Sequence, residues 1–122
     1  MMVAVYVSIA QLRRHDMLTL IARQVNPRNS KNGFIVEVQG HDYVSERAFC
    51  IDDAVGALLR KHPANFSRLA QEVEMETIED GYLASFSGLG PDTYGMGDTP
   101  DNALGAMVRL NHHIFGISIV LR

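Results

Sequence analysis

The sequence contains two copies of one pattern, and this internal repeat constrains the fold more than any other feature. Gly33 corresponds to Gly81 at an offset of 48 positions, and a strand-like segment follows each glycine. The segment 52–60 then matches 101–109 at an offset of 49. Repeats of this length are supersecondary units that bury their apolar face against a neighbouring copy. The two copies are therefore expected to share one hydrophobic core.

Length and composition fit a single soluble domain. A chain of 122 residues can bury roughly two thirds of the surface that its unfolded form exposes. The apolar stretch from Met2 to Ala10 is far shorter than the roughly 20 residues of a membrane-spanning helix. A single cysteine, Cys50, cannot form an internal disulfide, which agrees with a reducing compartment. These features predict a cytoplasmic protein.

Hydrophobic periodicity predicts four strands and one helix in the first part of the chain. The strands are indicated by alternating apolar residues and by β-branched or aromatic side chains, at 3–10, 17–25, 34–39 and 43–49. Apolar residues at helical spacing predict a helix from Ile51 to His62, and Pro63 ends it. The segment 64–73 fits either a short helix or an irregular strand.

The second copy repeats this order with a better-marked helix. Strands are predicted at 73–78, 82–86, 93–96 and 117–121. Between the last two, Thr99 is a suitable N-cap, Pro100 suits the first turn and Asp101 favours the positive end of the helix dipole.

The predicted fold class is α+β, with two ββ(β)α repeats whose antiparallel sheets each carry a helix on one face. Residues 1–122 form a single pseudo-twofold unit. Repeat one spans about 17–66 and has an extra N-terminal strand at 3–10, and repeat two spans about 73–122.

The second copy resembles the HicB-like antitoxin family. The similarity rests on the acidic-Gly-Tyr turn at 80–82, a strand that ends at Phe86, and the helix start Gly97-Asp98-Thr99 followed by Ala103-Leu104. The resemblance covers about the last 50 residues. The first copy keeps only the outline, with Cys50-Ile51 in place of Thr99-Pro100.

The resemblance implies a fold like a reduced RNase H domain or a double-stranded RNA-binding domain. It also implies a function, which is to cap a protein partner, typically a small RNase toxin. The link after the family's strand departs from its usual pattern, since 87–92 reads Ser-Gly-Leu-Gly-Pro-Asp.

Neither catalysis nor a metal site is predicted. An RNase H type site needs several carboxylates that converge on magnesium, and Glu37, Asp42 and Glu46 do not alternate in a way that brings them together. The adjacent His112 and His113 point in different directions around a helix and suit its C-terminal end as cations. No catalytic residue, metal ligand or cofactor is assigned, and the chain is predicted not to be an enzyme.

Cys50 is the one candidate for a reactive side chain. A thiol at a helix N-terminus can have a lowered pKa and enhanced reactivity. No general base or resolving cysteine lies near it in the sequence, so a passive, half-buried thiol is the alternative.

Two classes of function remain open. The leading hypothesis is a non-catalytic binding module that recognises a protein, through candidate contact residues in equivalent links of the two copies: His41, Tyr43, Leu89, Tyr94 and Met96. The alternative is a small-molecule-binding protein or enzyme whose site lies at the seam between the repeats, lined by His41, Asp42 and Cys50.

Charge and strand edges add two expectations about partners. There are eight basic and six acidic residues up to Lys61, but three basic and eight acidic residues from His62 onward. This acidic second half disfavours RNA binding, which needs a cationic face. A sheet edge at 3–10 or 117–121 would expose unpaired backbone groups, so a homo-oligomer is expected.

Overall fold

A computed structural model describes residues 18–26, 28, 32–66, 72–86 and 93–122. This part of the chain is a mixed α+β structure with two sheets and three α-helices, which confirms the predicted fold class at that level. The predicted strand at 3–10 and the candidate contact residue Leu89 lie outside the described residues.

The first copy forms three strands and a helix close to the predicted bounds. They are β1 (Leu18–Gln24), β2 (Phe34–Val38), β3 (His41–Ala48) and α1 (Ile51–Lys61), followed by a short 3-10 helix (Pro63–Asn65). Strand β3 begins two residues before the prediction. Helix α1 ends just before Pro63, as expected for a residue that has no amide hydrogen to continue the helix.

The second copy repeats this order and adds a short helix and a strand. Its elements are β4 (Val73–Ile78), β5 (Gly81–Phe86), β6 (Tyr94–Gly97), α2 (Pro100–Leu110), α3 (His112–Phe115) and β7 (Ile117–Leu121). The Thr99 hydroxyl accepts a hydrogen bond from the Asn102 amide at 3.0 Å, so the predicted N-cap is confirmed. Of the segment 64–73, which by sequence fits either a short helix or an irregular strand, residues 67–71 lie outside the described residues; the 3-10 helix ends at Asn65 and β4 begins at Val73.

The two sheets do not each belong to one copy. The first sheet has the order β3-β2-β1-β7 and the second has the order β4-β5-β6. Strand β7 of the second copy pairs in parallel with β1 of the first. The prediction of antiparallel sheets is therefore wrong for this pair, because a strand that follows a helical crossover can lie parallel to its neighbour.

Both copies contribute to one hydrophobic core, in accord with the expectation from the repeat. Helix α1 packs on β2 and β3, α2 packs on β5 and β6, and the two helices pack against each other. Their contact is the seam between the copies. The largest fully buried side chains come from both halves and include Leu20, Val36, Leu58, Met107 and Phe115.

Candidate functional site

Two equivalent glycines let the helices approach each other closely at the seam. Gly56 of α1 and Gly105 of α2 correspond at the offset of 49. A β-carbon on Gly56 would overlap the backbone oxygen of Asp101, and one on Gly105 would overlap that of Asp52. Each helix therefore uses the same position to admit the backbone of the other.

Reciprocal ion pairs lie on either side of this contact. The Arg60 guanidinium donates from Nε and Nη2 to both Asp101 oxygens, at 2.9 Å each. Arg109 does the same to Asp52, at 2.8 and 3.0 Å. The carboxylate hydrogen bonds raise the pKa of both arginines. Since both guanidiniums are about half exposed, each pair stabilises the seam by at most about 1 kcal/mol.

The two copies differ where Asp53 of α1 meets Asn102 of α2. These two residues occupy equivalent positions, and the Asn102 amide donates to the Asp53 carboxylate at 2.8 Å in a partly buried site. Two identical aspartates there would repel each other. The difference between the copies therefore turns a like-charge contact into a hydrogen bond.

Cys50 lies beside this pair and caps α1. Its sulfur accepts hydrogen bonds from the Asp53 backbone amide and the Asn102 side chain, both at 3.5 Å. Burial raises the pKa of the Cys50 thiol, and a protonated thiol is a weak nucleophile. These contacts favour a structural role for Cys50, and its reactivity stays a prediction.

Sequence reasoning missed the paired side chains of the seam. The repeat contained the signal, because Arg60 and Asp52 recur as Arg109 and Asp101 at one offset. Only the crossing of the two helices shows that each arginine binds the aspartate of the other copy.

The residues proposed to line a site at the seam do not come together. His41 begins β3 and Cys50 follows its end, so at about 3.3 Å per residue the strand separates them by more than about 20 Å. The His41 ring instead makes an edge contact with Tyr43, at 6.1 Å between ring centres. Tyr43 is 81% exposed and precedes the buried Val44 along β3, so it lies on the face of the first sheet that points away from the core.

Two other predicted contact residues lie together on the second sheet. Tyr94 and Met96 alternate with the buried Gly95 along β6, so both point away from α2. Met96 is 57% exposed and lies opposite Leu83 of β5. Glu74 and Glu76 of β4 point to the same side. We call these five residues the outer patch.

Among the described residues, no group of three or more histidine, cysteine, aspartate or glutamate side chains could hold a metal ion. None of the helices in this part of the chain has the length and apolar character needed to cross a membrane.

The structure places the motif behind the HicB-like resemblance around the second sheet and α2. Glu79 and Asp80 form the turn between β4 and β5, Gly81 begins β5 and Phe86 ends it, and Thr99 caps α2. Comparisons with protein-family models, with curated proteins and with solved structures found no match. Membership of the HicB-like family therefore stays a prediction.

Proposed function

We propose that the chain is a non-catalytic binding module that caps a protein partner, as the HicB-like resemblance implies. The observation that supports it is the outer patch, where exposed apolar side chains lie beside two glutamates. Large exposed apolar side chains that cluster on one face often mark protein interaction sites.

The charge of the outer patch fits the class of partner. A small RNase binds the phosphate backbone through lysine and arginine side chains. Glu74 and Glu76 are both exposed on β4 and would meet such a cationic surface, while Met96 and Tyr94 bury apolar area against it. An RNase toxin is therefore the partner that we propose.

The first copy has a different surface at the equivalent positions. Met96 and Glu76 lie in one row across the strands of the second sheet. In the first sheet, Arg47 of β3 holds the place of Met96 and Arg23 of β1 holds the place of Glu76. Arg23 forms an ion pair with Glu37 at 3.0 Å. This divergence supports a partner site on one copy only.

Affinity capture from the native host tests the proposal. The wild-type chain is expected to retain a basic protein, and Met96→Lys should reduce the captured amount at least tenfold, because it removes apolar area and adds a repelling charge. Leu110→Lys is the matched control, since Leu110 at the end of α2 is also 57% exposed. Equal capture by both variants, or no retained protein, would contradict the proposal.

We also propose that the chain self-associates through β7. In the described part of the chain, no strand pairs with the outer edge of β7. Two antiparallel β7 strands would place Ser118 beside Val120 of the other copy, with no like charges opposed. Such a contact would extend the first sheet across a twofold axis.

Analytical ultracentrifugation measures this association. The wild-type chain is expected to sediment as a dimer at tens of micromolar. Replacing both Ser118 and Val120 by glutamate, at exposed positions, should give monomers, since carboxylates would then oppose each other across the axis. A monomeric wild-type chain would refute self-association.

A further inference from the structure

A groove of about 330 Å³ runs beside β4, at one end of the second sheet. Its walls come from the end of α1, the start of α2 and the inner face of β4. The lining includes Leu59, Pro63, Val73, Met75 and Leu104, and the Arg60–Asp101 ion pair lies at its rim. The surface inside the groove is thus mostly apolar.

The internal repeat shows what occupies the equivalent place in the first copy. Strand β4 pairs with β5 as β1 pairs with β2. When these two pairs are compared, Val73 and Met75 of β4 correspond to Leu20 and Ala22 of β1. Beside Leu20 and Ala22 lies β7, in the parallel register Leu20 with Ile119 and Ala22 with Leu121. The place beside β1 is therefore filled by a strand whose Ile117 and Ile119 point inward.

The second sheet has no such strand in the part of the chain that the structure describes. No strand of those residues pairs with the outer edge of β4, and the backbone groups of such an edge can hydrogen-bond to an added strand. A strand in this position would direct every second side chain into the groove, as Ile117 and Ile119 of β7 point into the core. The groove therefore fits apolar residues at alternate positions.

The outer face of β4 determines which residues should lie between the apolar residues of the added strand. Glu74 and Glu76 are exposed and point away from the groove. Cross-strand neighbours of opposite charge stabilise a sheet, and like charges destabilise it. The residues of an added strand that lie beside these glutamates should be lysine or arginine.

The same glutamates act against pairing between two copies of this chain. Two β4 strands related by a twofold axis perpendicular to the sheet must pair outer face with outer face. In every such alignment that includes the centre of β4, a glutamate of one copy lies opposite a glutamate of the other. A second copy is thus a poor occupant.

We propose that the edge of β4 and its groove bind an extended segment of another protein as a fourth strand, apolar at alternate positions and basic between them. Strand addition of this kind obtains affinity from backbone hydrogen bonds and specificity from pockets for alternate side chains. This site shares Glu74 and Glu76 with the outer patch, but its apolar contacts lie on the other face of the sheet, because Met75 and Met96 point to opposite faces.

A fluorescent hexapeptide of alternating isoleucine and lysine is the probe, and anisotropy with the full chain is the measurement. The wild type is expected to bind it at least tenfold more tightly than a shuffled peptide with contiguous isoleucines. Met75→Lys should weaken binding at least tenfold, and Met96→Lys, with the same change in charge, should leave it within twofold. This pair of variants separates failure of the groove from failure of the outer patch.

A second protein variant guards against misfolding of Met75→Lys. Replacing Glu74 and Glu76 by glutamine at exposed positions should weaken binding severalfold and reduce its salt dependence. Equal affinity for the shuffled peptide, or no effect of either variant, would overturn the proposal. Binding that appears only when Val5 and Val7 are replaced by aspartate would overturn it as well, by showing that the chain's own residues compete for the groove. Dimerisation that is lost with Met75→Lys would assign the groove to a second copy.

Discussion

Replacing Gly105 by alanine is expected to destabilise the protein by about 2–3 kcal/mol, in the range observed when extra atoms are forced into a packed interior. The added methyl group would overlap the Asp52 backbone, and backbone, unlike a side chain, cannot rotate away. Helices α1 and α2 must move apart to accommodate it. That movement would also lengthen the ion pairs of Arg60 and Arg109, which span the same contact.

Whether Gly105→Ala lowers or raises stability shows whether the close helix contact or the helix propensity of alanine has the larger effect. Alanine normally stabilises a helix by up to about 1 kcal/mol relative to glycine, so a loose crossing would make Gly105→Ala more stable than the wild type. Urea unfolding followed by circular dichroism measures the difference. Gly56→Ala should lower the free energy of unfolding by a similar amount. The double variant should lose less stability than the two single variants together, because one methyl group already separates the helices.

Asn102→Asp is expected to destabilise the protein by about 2 kcal/mol at neutral pH. The change brings a second carboxylate to the position from which the Asn102 amide now donates to Asp53 at 2.8 Å. Two carboxylates this close cannot both ionise freely, so one of the two in the variant should hold its proton to a higher pH. Each unit by which that pKa rises corresponds to about 1.4 kcal/mol.

The pH dependence of this variant has a defined sign. A carboxyl group whose pKa is higher in the folded than in the unfolded state contributes stability below the unfolded value, about 3.9 for aspartate. That stability is lost as the pH rises through the folded value. The deficit relative to the wild type should therefore be small near pH 4 and full at pH 7, as measured by urea unfolding at each pH.

Exchanging the two residues is the matched control. The double variant Asp53→Asn with Asn102→Asp keeps one amide and one carboxylate in this contact, but each now comes from the other helix. Its stability is expected to return to within about 1 kcal/mol of the wild type, the scale of one hydrogen bond. A double variant as unstable as Asn102→Asp would show that the loss has a cause other than carboxylate repulsion.

Local elements could be predicted because their signals are local. Thr99 and Pro63 mark where a helix begins and ends, and alternating residues such as Phe34, Val36 and Val38 define a strand with one buried face. The repeat also predicted the shared core, because each copy has an apolar helix face that needs a partner.

The pairing of β7 with β1 could not be predicted, because nothing local to Ile117–Leu121 specifies which sheet it joins. Likewise, the alternation along β6 predicts that Tyr94 and Met96 share a face, but only the sheet shows that Glu74, Glu76 and Leu83 lie beside them. The contact of Asp53 with Asn102 depends on the helix crossing, which is set by tertiary packing.

The pairing of β7 with the sheet of the first copy also constrains how the chain folds. Leu18 pairs with Ile117, so the first sheet closes only when residues from distant parts of the sequence meet. Folding rates fall as contacts become less local, because a long loop must be ordered before its ends interact. During synthesis, the sheet of the first copy is complete only after β7, which follows α3, has been made. We therefore expect the two copies to unfold in one cooperative transition, although each contains its own helix and three strands.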